Sequence, residues 1–299
     1  MTAAMDIRDH RPCILRPAGP AALVTLIVVV LLMFPGGGPA SAQEQPPPPE
    51  YGTGLQFTNL ANTPIAGLLT RGTYEIDLRM YPEGGLFTFV TIGFLRSVNI
   101  GFSYGASNVI ARGKVDWNPR VEFAFKARII PESVTLPALA IGYAGQGYGP
   151  YLVDEDQQQW DLDRYAVKSP GLYAVLSKNY RILTEVGLHL GVNRSREDDD
   201  DDDLNVFLGM DLSLSPELYL ILEYDAALND NDDEAVGYGN GYLNLGMKWA
   251  ASPHLRLEFF FTNLLDNVRG AGMPATIRRL ADTLGGAGRE LRIVYVDWF

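Results

Sequence analysis

The chain has 299 residues, 47% of them hydrophobic, and a formal net charge of −12 at pH 7. An acidic chain of this kind is not expected to bind nucleic acid or another polyanion. Its one cysteine, Cys13, cannot form a disulfide framework or a thiolate metal site by itself. The sequence predicts no cofactor.

The first 42 residues have the pattern of a cleaved secretory signal peptide. Three arginines precede an apolar run over residues 21–34, and Ala40-Ser41-Ala42 then provides an A-x-A-like cleavage site. The fourteen residues of the run are fewer than the roughly 20 that a membrane helix requires. Cleavage after Ala42 is therefore favoured over a retained anchor. The predicted mature chain has 299 − 42 = 257 residues and a formal charge of 21 − 34 = −13.

Residues 43–72 form a Pro-rich N-terminal segment, in which Pro46–Pro49 is typical of an extended spacer. The mature sequence contains no stretch of 18 apolar residues, so no membrane helix is predicted there.

Segments with period-two alternation follow from residue 73 onward. Apolar residues alternate with polar or small ones in Tyr74–Met80, Val121–Arg128 and Leu255–Thr262, so each segment has one apolar face. In a soluble sandwich that face would form the core, whereas in a membrane barrel it would contact lipid. The alternation alone does not separate these two folds.

Loop lengths separate the two folds. Every second connection between the predicted strands is short, and the others are long except for residues 81–84. Outer-membrane barrels combine short periplasmic turns with long extracellular loops and an even number of strands. We therefore predict an all-β fold, a single antiparallel transmembrane β-barrel of about 12 strands over residues 73–299. The predicted strands are 73–81, 85–95, 97–106, 120–130, 137–146, 171–179, 183–194, 204–214, 217–228, 241–250, 254–264 and 290–299.

The last predicted strand ends on an aromatic residue, Phe299. This resembles the end signature of bacterial outer-membrane barrels, in which the last residue, most often Phe, is read by the insertion machinery. Counting back from Phe299 places every short turn on the periplasmic side. Asp297 shares the face of Tyr295, where an apolar residue is preferred, but a charge near the rim costs little. The predicted location is the cell outer membrane, with lipid, lipopolysaccharide and the barrel-assembly machinery as partners.

The predicted lumen face carries charges of both signs. These charges could pair across the interior and plug it, or they could line a narrow aqueous path, and the number of strands does not decide between these alternatives. The candidate lumen residues are Glu75, Asp77, Arg79, Glu122, Lys126, Arg128, His189, Glu223, Lys248, Arg256, Glu258 and Arg292.

Two predicted outer loops are strongly acidic. A dense run of carboxylates repels itself and stays solvated. Binding of divalent cations is the alternative, but neither loop has the glycine-containing spacing of a calcium site, and no metal site is predicted. Residues 277–284 are a candidate for a short helix in the last outer loop. The acidic residues are Glu197, Asp198, Asp199, Asp200, Asp201, Asp202 and Asp203 in one loop, and residues 229–234 in the other.

Two histidines follow the signal segment. His254 lies beside a proline in a predicted short turn and is expected at the surface. His189 lies on the predicted lumen face, with Asp211 and Ser213 on the next strand, so a hydrolase with a Ser/His/Asp site is one alternative. No nucleophile elbow or other local motif accompanies these residues. A hydrogen-bonding lumen histidine is favoured, and we predict a non-enzymatic protein with no catalytic residues.

Five short segments lie between residues 60 and 195: Asn62–Gly67, Phe125–Glu132, Leu136–Gly142, Tyr148–Tyr151 and Leu172–Lys178. Together they resemble the YjbH-type outer-membrane proteins associated with exopolysaccharide production. The resemblance implies an envelope protein that supports exopolysaccharide export or assembly at the cell surface, with polysaccharide-export proteins as partners. It brings no catalytic residues to this chain. The alternatives from the residues themselves are a narrow passive channel for small solutes and a barrel hydrolase.

Overall fold

A computed structural model of the chain describes residues 57–111, 114–153, 163–197, 203–232, 235–268 and 287–299. No helix in these ranges is long and apolar enough to cross a membrane. Apart from one short 3₁₀ turn at Pro82–Gly84, the regular structure of the described residues is β-strand. The strands are β1 (Thr73–Tyr81), β2 (Gly85–Leu95), β3 (Val98–Ser107), β4 (Asp116–Trp117), β5 (Glu122–Ile130), β6 (Ala138–Ala144), β7 (Tyr148–Val153), β8 (Asp163–Val167), β9 (Gly171–Arg181), β10 (Glu185–Arg194), β11 (Asn205–Ser215), β12 (Leu218–Asp225), β13 (Tyr242–Ala250), β14 (Leu255–Thr262) and β15 (Gly288–Trp298).

Twelve of these strands form a closed antiparallel barrel. Each barrel strand pairs with its neighbours in chain order, and β15 returns to pair with β1 from Thr73↔Trp298 to Met80↔Leu291. Closure leaves no unpaired edge among these twelve strands. The predicted fold class, an antiparallel barrel of about 12 strands, is confirmed.

Two long loops contain strands that the sequence pattern did not predict. The 147–170 loop holds a two-stranded sheet of β7 and β8, which we call the outer hairpin, and the 107–119 loop adds the two-residue β4 to the end of β3. The outer hairpin includes Gly149 and Pro150, which interrupt any alternation of apolar and polar residues. The predicted helix at 277–284 lies outside the described residues.

The short connections lie together at one end of the barrel, where β1 begins and β15 ends. We call this the periplasmic end and the opposite end the outer end, following the loop lengths of outer-membrane barrels. Trp249 and Trp298 lie near the periplasmic end, and Trp117 stacks on Tyr104 near the outer end. Aromatic residues at both rims are typical of a barrel that spans a bilayer.

Apolar side chains cover the outside of the barrel, and polar ones point inward. On β5, Phe123 and Phe125 are exposed, whereas the neighbouring Glu122 and Lys126 are buried. A soluble protein shows the reverse arrangement, because water solvates charge and excludes apolar surface. The described strands therefore have the surface of a transmembrane barrel.

Candidate functional site

The chain before β1 occupies the lumen. Residues 57–70, which we call the plug, form a tight turn closed by a bridge between Asn59 and Pro64. Leu60 and Ala61 at this turn have no solvent-exposed surface. The apolar plug residues pack against Tyr219, Ile221 and Phe260 of the barrel wall. A part of the chain that the sequence predicts only as a Pro-rich segment therefore lies inside the lumen.

One carboxylate of the barrel wall binds the backbone of the plug turn. Glu223 on β12 accepts hydrogen bonds from the N–H groups of Ala61 (2.9 Å), Asn62 (3.0 Å) and Thr63 (2.9 Å). The Thr63 hydroxyl also donates to it at 2.8 Å, and Asn244 of β13 donates at 2.7 Å. Hydrogen bonds to a charged acceptor are about twice as strong as neutral ones. Glu223 is therefore the main polar anchor of the plug.

Two lysines of the wall bind carbonyl groups of the same segment. Lys126 on β5 donates to the carbonyl oxygens of Thr58 and Ile65, the latter at 3.0 Å. Lys248 on β13 donates to the carbonyl oxygen of Asn59 at 2.8 Å. Wall charges of both signs therefore hold the plug through its backbone.

Two glycines allow the plug to approach the wall. A Cβ atom at Gly209 would lie 2.1 Å from Cδ1 of Leu60, and one at Gly93 would lie 2.0 Å from the carbonyl oxygen of Thr70. Neither separation is compatible with an undisturbed plug. At Gly93 the contact is with plug backbone, so the close fit depends on glycine there, whereas at Gly209 the tip of the Leu60 side chain would have to move.

A belt of paired charges runs across β13, β14, β15 and β1. Lys248 lies 3.4 Å from Glu258, and Arg256 lies 3.0 Å from Glu75. Arg79 lies 3.3 Å from Glu290, a lumen residue that the sequence analysis missed although it alternates with Arg292. The four cations and four anions cancel (4 − 4 = 0), so on this side of the barrel the charges pair with one another along the wall. The belt consists of Asp77, Arg79, Glu75, Lys248, Arg256, Glu258, Glu290 and Arg292.

The structure buries most of the candidate lumen residues inside the barrel. Arg128, near the periplasmic end of β5, is half-buried. The buried candidates are Glu75, Asp77, Arg79, Glu122, Lys126, His189, Glu223, Lys248, Arg256, Glu258 and Arg292.

His189 forms a hydrogen-bonded chain with one serine and one aspartate. Its Nδ1 lies 2.8 Å from Oγ of Ser177 on β9, and its Nε2 lies 2.8 Å from Oδ1 of Asp211 on β11. The serine is therefore Ser177 and not the Ser213 of the sequence prediction, whose hydroxyl donates to the carbonyl of Ser215. The three residues lie on the adjacent strands β9, β10 and β11. The strand register brings their lumen-facing side chains together, with His189 directly opposite Ser177.

The order serine, histidine, aspartate is that of a hydrolytic triad. In this barrel, however, Ser177 Oγ accepts a hydrogen bond from the N–H of Ala66 at 2.9 Å. Ala66 belongs to the plug and packs among buried apolar residues of β6, β9 and β11. In this arrangement the chain of hydrogen bonds holds the plug.

The outer hairpin lies across the outer end of the lumen. Tyr148 bonds Thr262 at the end of β14 at 3.2 Å, while Arg164 makes a two-point ion pair with Asp230 in the β12–β13 loop, at 2.7 and 2.9 Å. The hairpin thus contacts elements from several sides of the outer end. An aromatic cluster fills the space between it and the wall. The cluster consists of Tyr81, Phe87, Tyr148, Tyr151 and Tyr165.

Two carboxylates predicted to be solvated are buried. Glu197 is 5% exposed and accepts hydrogen bonds from the N–H groups of Tyr165 and Ser169. Burial raises the pKa of Glu197 to about 7, against the opposing effect of Arg164. Burial also opposes ionisation of Asp230, but the paired Arg164 guanidinium outweighs it and holds the pKa of Asp230 below its ordinary value. These two residues bind the outer hairpin instead of repelling their neighbours in solvent.

In the rest of the acidic loops, Asp203 is exposed, and residues 198–202 and 233–234 lie outside the described residues, as does the predicted cleavage site at Ala42. At the periplasmic rim, the N–H of the exposed Phe299 donates to the carbonyl of Gly72 at 3.1 Å. Asp297 accepts a hydrogen bond from the Tyr295 hydroxyl at 2.6 Å, so the charge that interrupts the apolar face has a local partner.

A closed barrel with an apolar outer surface, a polar interior and long loops at one end defines the class of protein: an outer-membrane β-barrel. No protein-family model matches the chain, and no curated protein matches its sequence.

Several solved structures are similar in fold. The KdgM porin in complex with disordered oligogalacturonate aligns over 76% of this chain and 99% of its own, at 7% identity and a TM-score of 0.43. The outer membrane protein Omp33 of Acinetobacter baumannii aligns over 76% of this chain and 98% of its own, at 10% identity and a TM-score of 0.38. The outer membrane channel DcaP of the same organism aligns over 75% and 95%, at 10% identity and a TM-score of 0.28.

Proposed function

We propose that this chain is an outer-membrane channel for small polar solutes that its own plug holds closed. The plug precedes β1 and takes no part in the pairing of β1 with β15 that closes the barrel. Its displacement would leave the strand ladders intact. It would also uncover Glu223, Lys126 and Lys248, which now bind plug backbone and would then face water. Polar solutes need a pore whose lining is polar and solvated, and the open lumen would provide one.

Single-channel recording in planar bilayers tests this proposal. The variant Glu223→Gln loses one acceptor and turns an amide N–H₂ toward the donating groups of the plug. A loss of order 3 kcal/mol in anchoring would raise the open fraction about 100-fold. The wild-type protein is expected to be mostly silent, and Glu223→Gln and a chain lacking residues 57–70 are expected to show discrete conductance steps.

Glu217→Gln is the matched control, because Glu217 is an exposed carboxylate in the turn before β12, and its traces are expected to match those of the wild type. Folded but silent barrels from both plug variants would contradict the channel proposal.

The second candidate function is support of exopolysaccharide export or assembly, with polysaccharide-export proteins as partners. The positions of the segments that resemble the YjbH type favour this candidate, because three of them lie in the plug or contain residues that bind it. Asn62–Gly67 is part of the plug, and Phe125–Glu132 contains Lys126, which binds the plug. Leu172–Lys178 contains Ser177, which also binds it. Deletion of the gene tests this candidate: unchanged surface polysaccharide would count against it, and reduced polysaccharide restored by the wild-type chain would support it.

A further inference from the structure

A cavity of about 110 Å³ lies between the plug and the outer hairpin, against β2, β3 and β5. Asn62 and Thr63 of the plug form one side, and Tyr148 of the outer hairpin and Lys168, which follows β8, form another. The wall leaves room here because Gly101, with no side chain, lies on the inner face of β3.

One side chain of this cavity has unmet hydrogen-bonding capacity. Asn99 on β3 is 3% exposed, and neither its Oδ1 nor its Nδ2 has a partner in the described part of the chain. Leaving a buried donor or acceptor unpaired costs about 1–3 kcal/mol. Asn99 therefore offers one acceptor, Oδ1, and one donor, Nδ2, to a molecule in the cavity.

Charged groups on the cavity wall already have partners within the protein. Lys126 donates to plug carbonyl groups, and Arg79 lies close to Glu290 and Asp77. Asp225 accepts hydrogen bonds from Asn205 at 2.6 Å and from the N–H of Ala227 at 2.9 Å. Among the described lining residues, the unmet groups are therefore the amide of Asn99 and the Nε–H of Arg79, whose charge Glu290 and Asp77 already offset. A carboxylate ligand would place negative oxygens against Oδ1 of Asn99.

We propose that this cavity binds a small neutral polyol of three or four carbons, with Asn99 as its recognition residue. Adjacent hydroxyl groups supply the donor and the acceptor that the amide lacks. A volume of about 110 Å³ is several times the roughly 10–15 Å³ that one water needs, so a polyol of three or four carbons has room while the plug is in place. As the solute class of the channel, this assignment rests on the proposed function, whereas binding itself is measured without transport.

Saturation-transfer-difference NMR on the full chain in detergent tests the site, with glycerol and lactate as probes. Glycerol is expected to bind saturably and more tightly than lactate. Asn99→Leu removes both unmet groups at similar volume, and loss of two hydrogen bonds is expected to weaken glycerol binding about tenfold. Ala124→Leu, on the cavity wall, is expected to reduce binding by occupying the space. Ser213→Ala, a lumen-facing change away from the cavity, is the control and is expected to bind as the wild type does.

Equal glycerol signals from the wild type and Asn99→Leu would overturn the proposal and would mean that water alone occupies the cavity. Lactate binding more tightly than glycerol would overturn the neutral class. If Asn99→Leu does not fold, the loss of glycerol binding in Ala124→Leu and the comparison of glycerol with lactate test the proposal instead. Failure of this site leaves the conductance of the Glu223 variant unaffected, and a silent Glu223 variant leaves Asn99-dependent binding unaffected, so the two proposals fail separately.

Discussion

The side chain of His189 links the barrel wall to the plug, and its replacement separates a structural role from an enzymatic one. In His189→Ala, Asp211 loses its histidine partner at 2.8 Å, and Ser177 keeps only the N–H of Ala66. We expect destabilisation of about 1–3 kcal/mol from the buried groups left unpaired. Unfolding of the purified barrel by urea measures this loss.

An ester-hydrolysis assay on the same variant addresses the hydrolase alternative. If the chain of hydrogen bonds only holds the plug, the wild type, His189→Ala and Ser177→Ala should show the same background turnover. Wild-type turnover that disappears in both variants would instead establish Ser177 as a nucleophile. Ser213→Ala is the control, because Ser213 does not contact His189 and bonds the carbonyl of Ser215.

The outer hairpin is the element whose attachment should depend on pH. Glu197 binds N–H groups of Tyr165 and Ser169, and its pKa is raised from 4.5 to about 7. A raised carboxyl pKa gives stability that is complete below pH 4.5 and is lost as pH rises through 7. We therefore expect the hairpin amides to be better protected from hydrogen exchange at pH 5 than at pH 8, after correction for the intrinsic rate.

The variant Glu197→Gln cannot ionise, so the pH dependence of hairpin protection should disappear in it. Amides of the β12–β13 pair, which Glu197 does not contact, supply an internal reference. Equal pH dependence of hairpin protection in the wild type and Glu197→Gln would contradict the role of this carboxylate.

The barrel strands can be predicted from their own sequence, whereas the structure of the plug cannot. Alternation is a local property, so the sequence predicts the positions of the barrel strands and the inner face of residues such as Glu258. The plug has no such pattern. Its structure depends on partners far along the chain, since Ala61 and Glu223 are separated by 162 residues. The acidic-loop prediction was wrong for Asp230 for the same reason: its partner Arg164 is 66 residues away, and local charge density does not reveal it.

The barrel as a whole combines a ladder of strand hydrogen bonds with a charge belt that crosses its seam. Pairing of β1 with β15 closes the ladder, and Arg256 on β14 reaches Glu75 on β1 across that seam. The belt therefore joins the first and last strands through side chains as well as through backbone. Since removing one partner from a buried ionic group leaves charge uncompensated, loss of a central carboxylate should weaken the whole barrel.

Glu258 is the most connected carboxylate of the belt, with Lys248, Arg256 and Arg292 around it. Glu258→Gln is expected to destabilise the barrel by about 3–5 kcal/mol, which corresponds to about 10 °C in unfolding temperature. A folded barrel migrates faster than its boiled form on a detergent gel, so the temperature of the mobility shift measures this loss. Glu217→Gln, on an exposed turn, should shift at the wild-type temperature. If Glu258→Gln also shifts at that temperature, closure depends on the strand ladder alone and the belt serves only to neutralise the lumen.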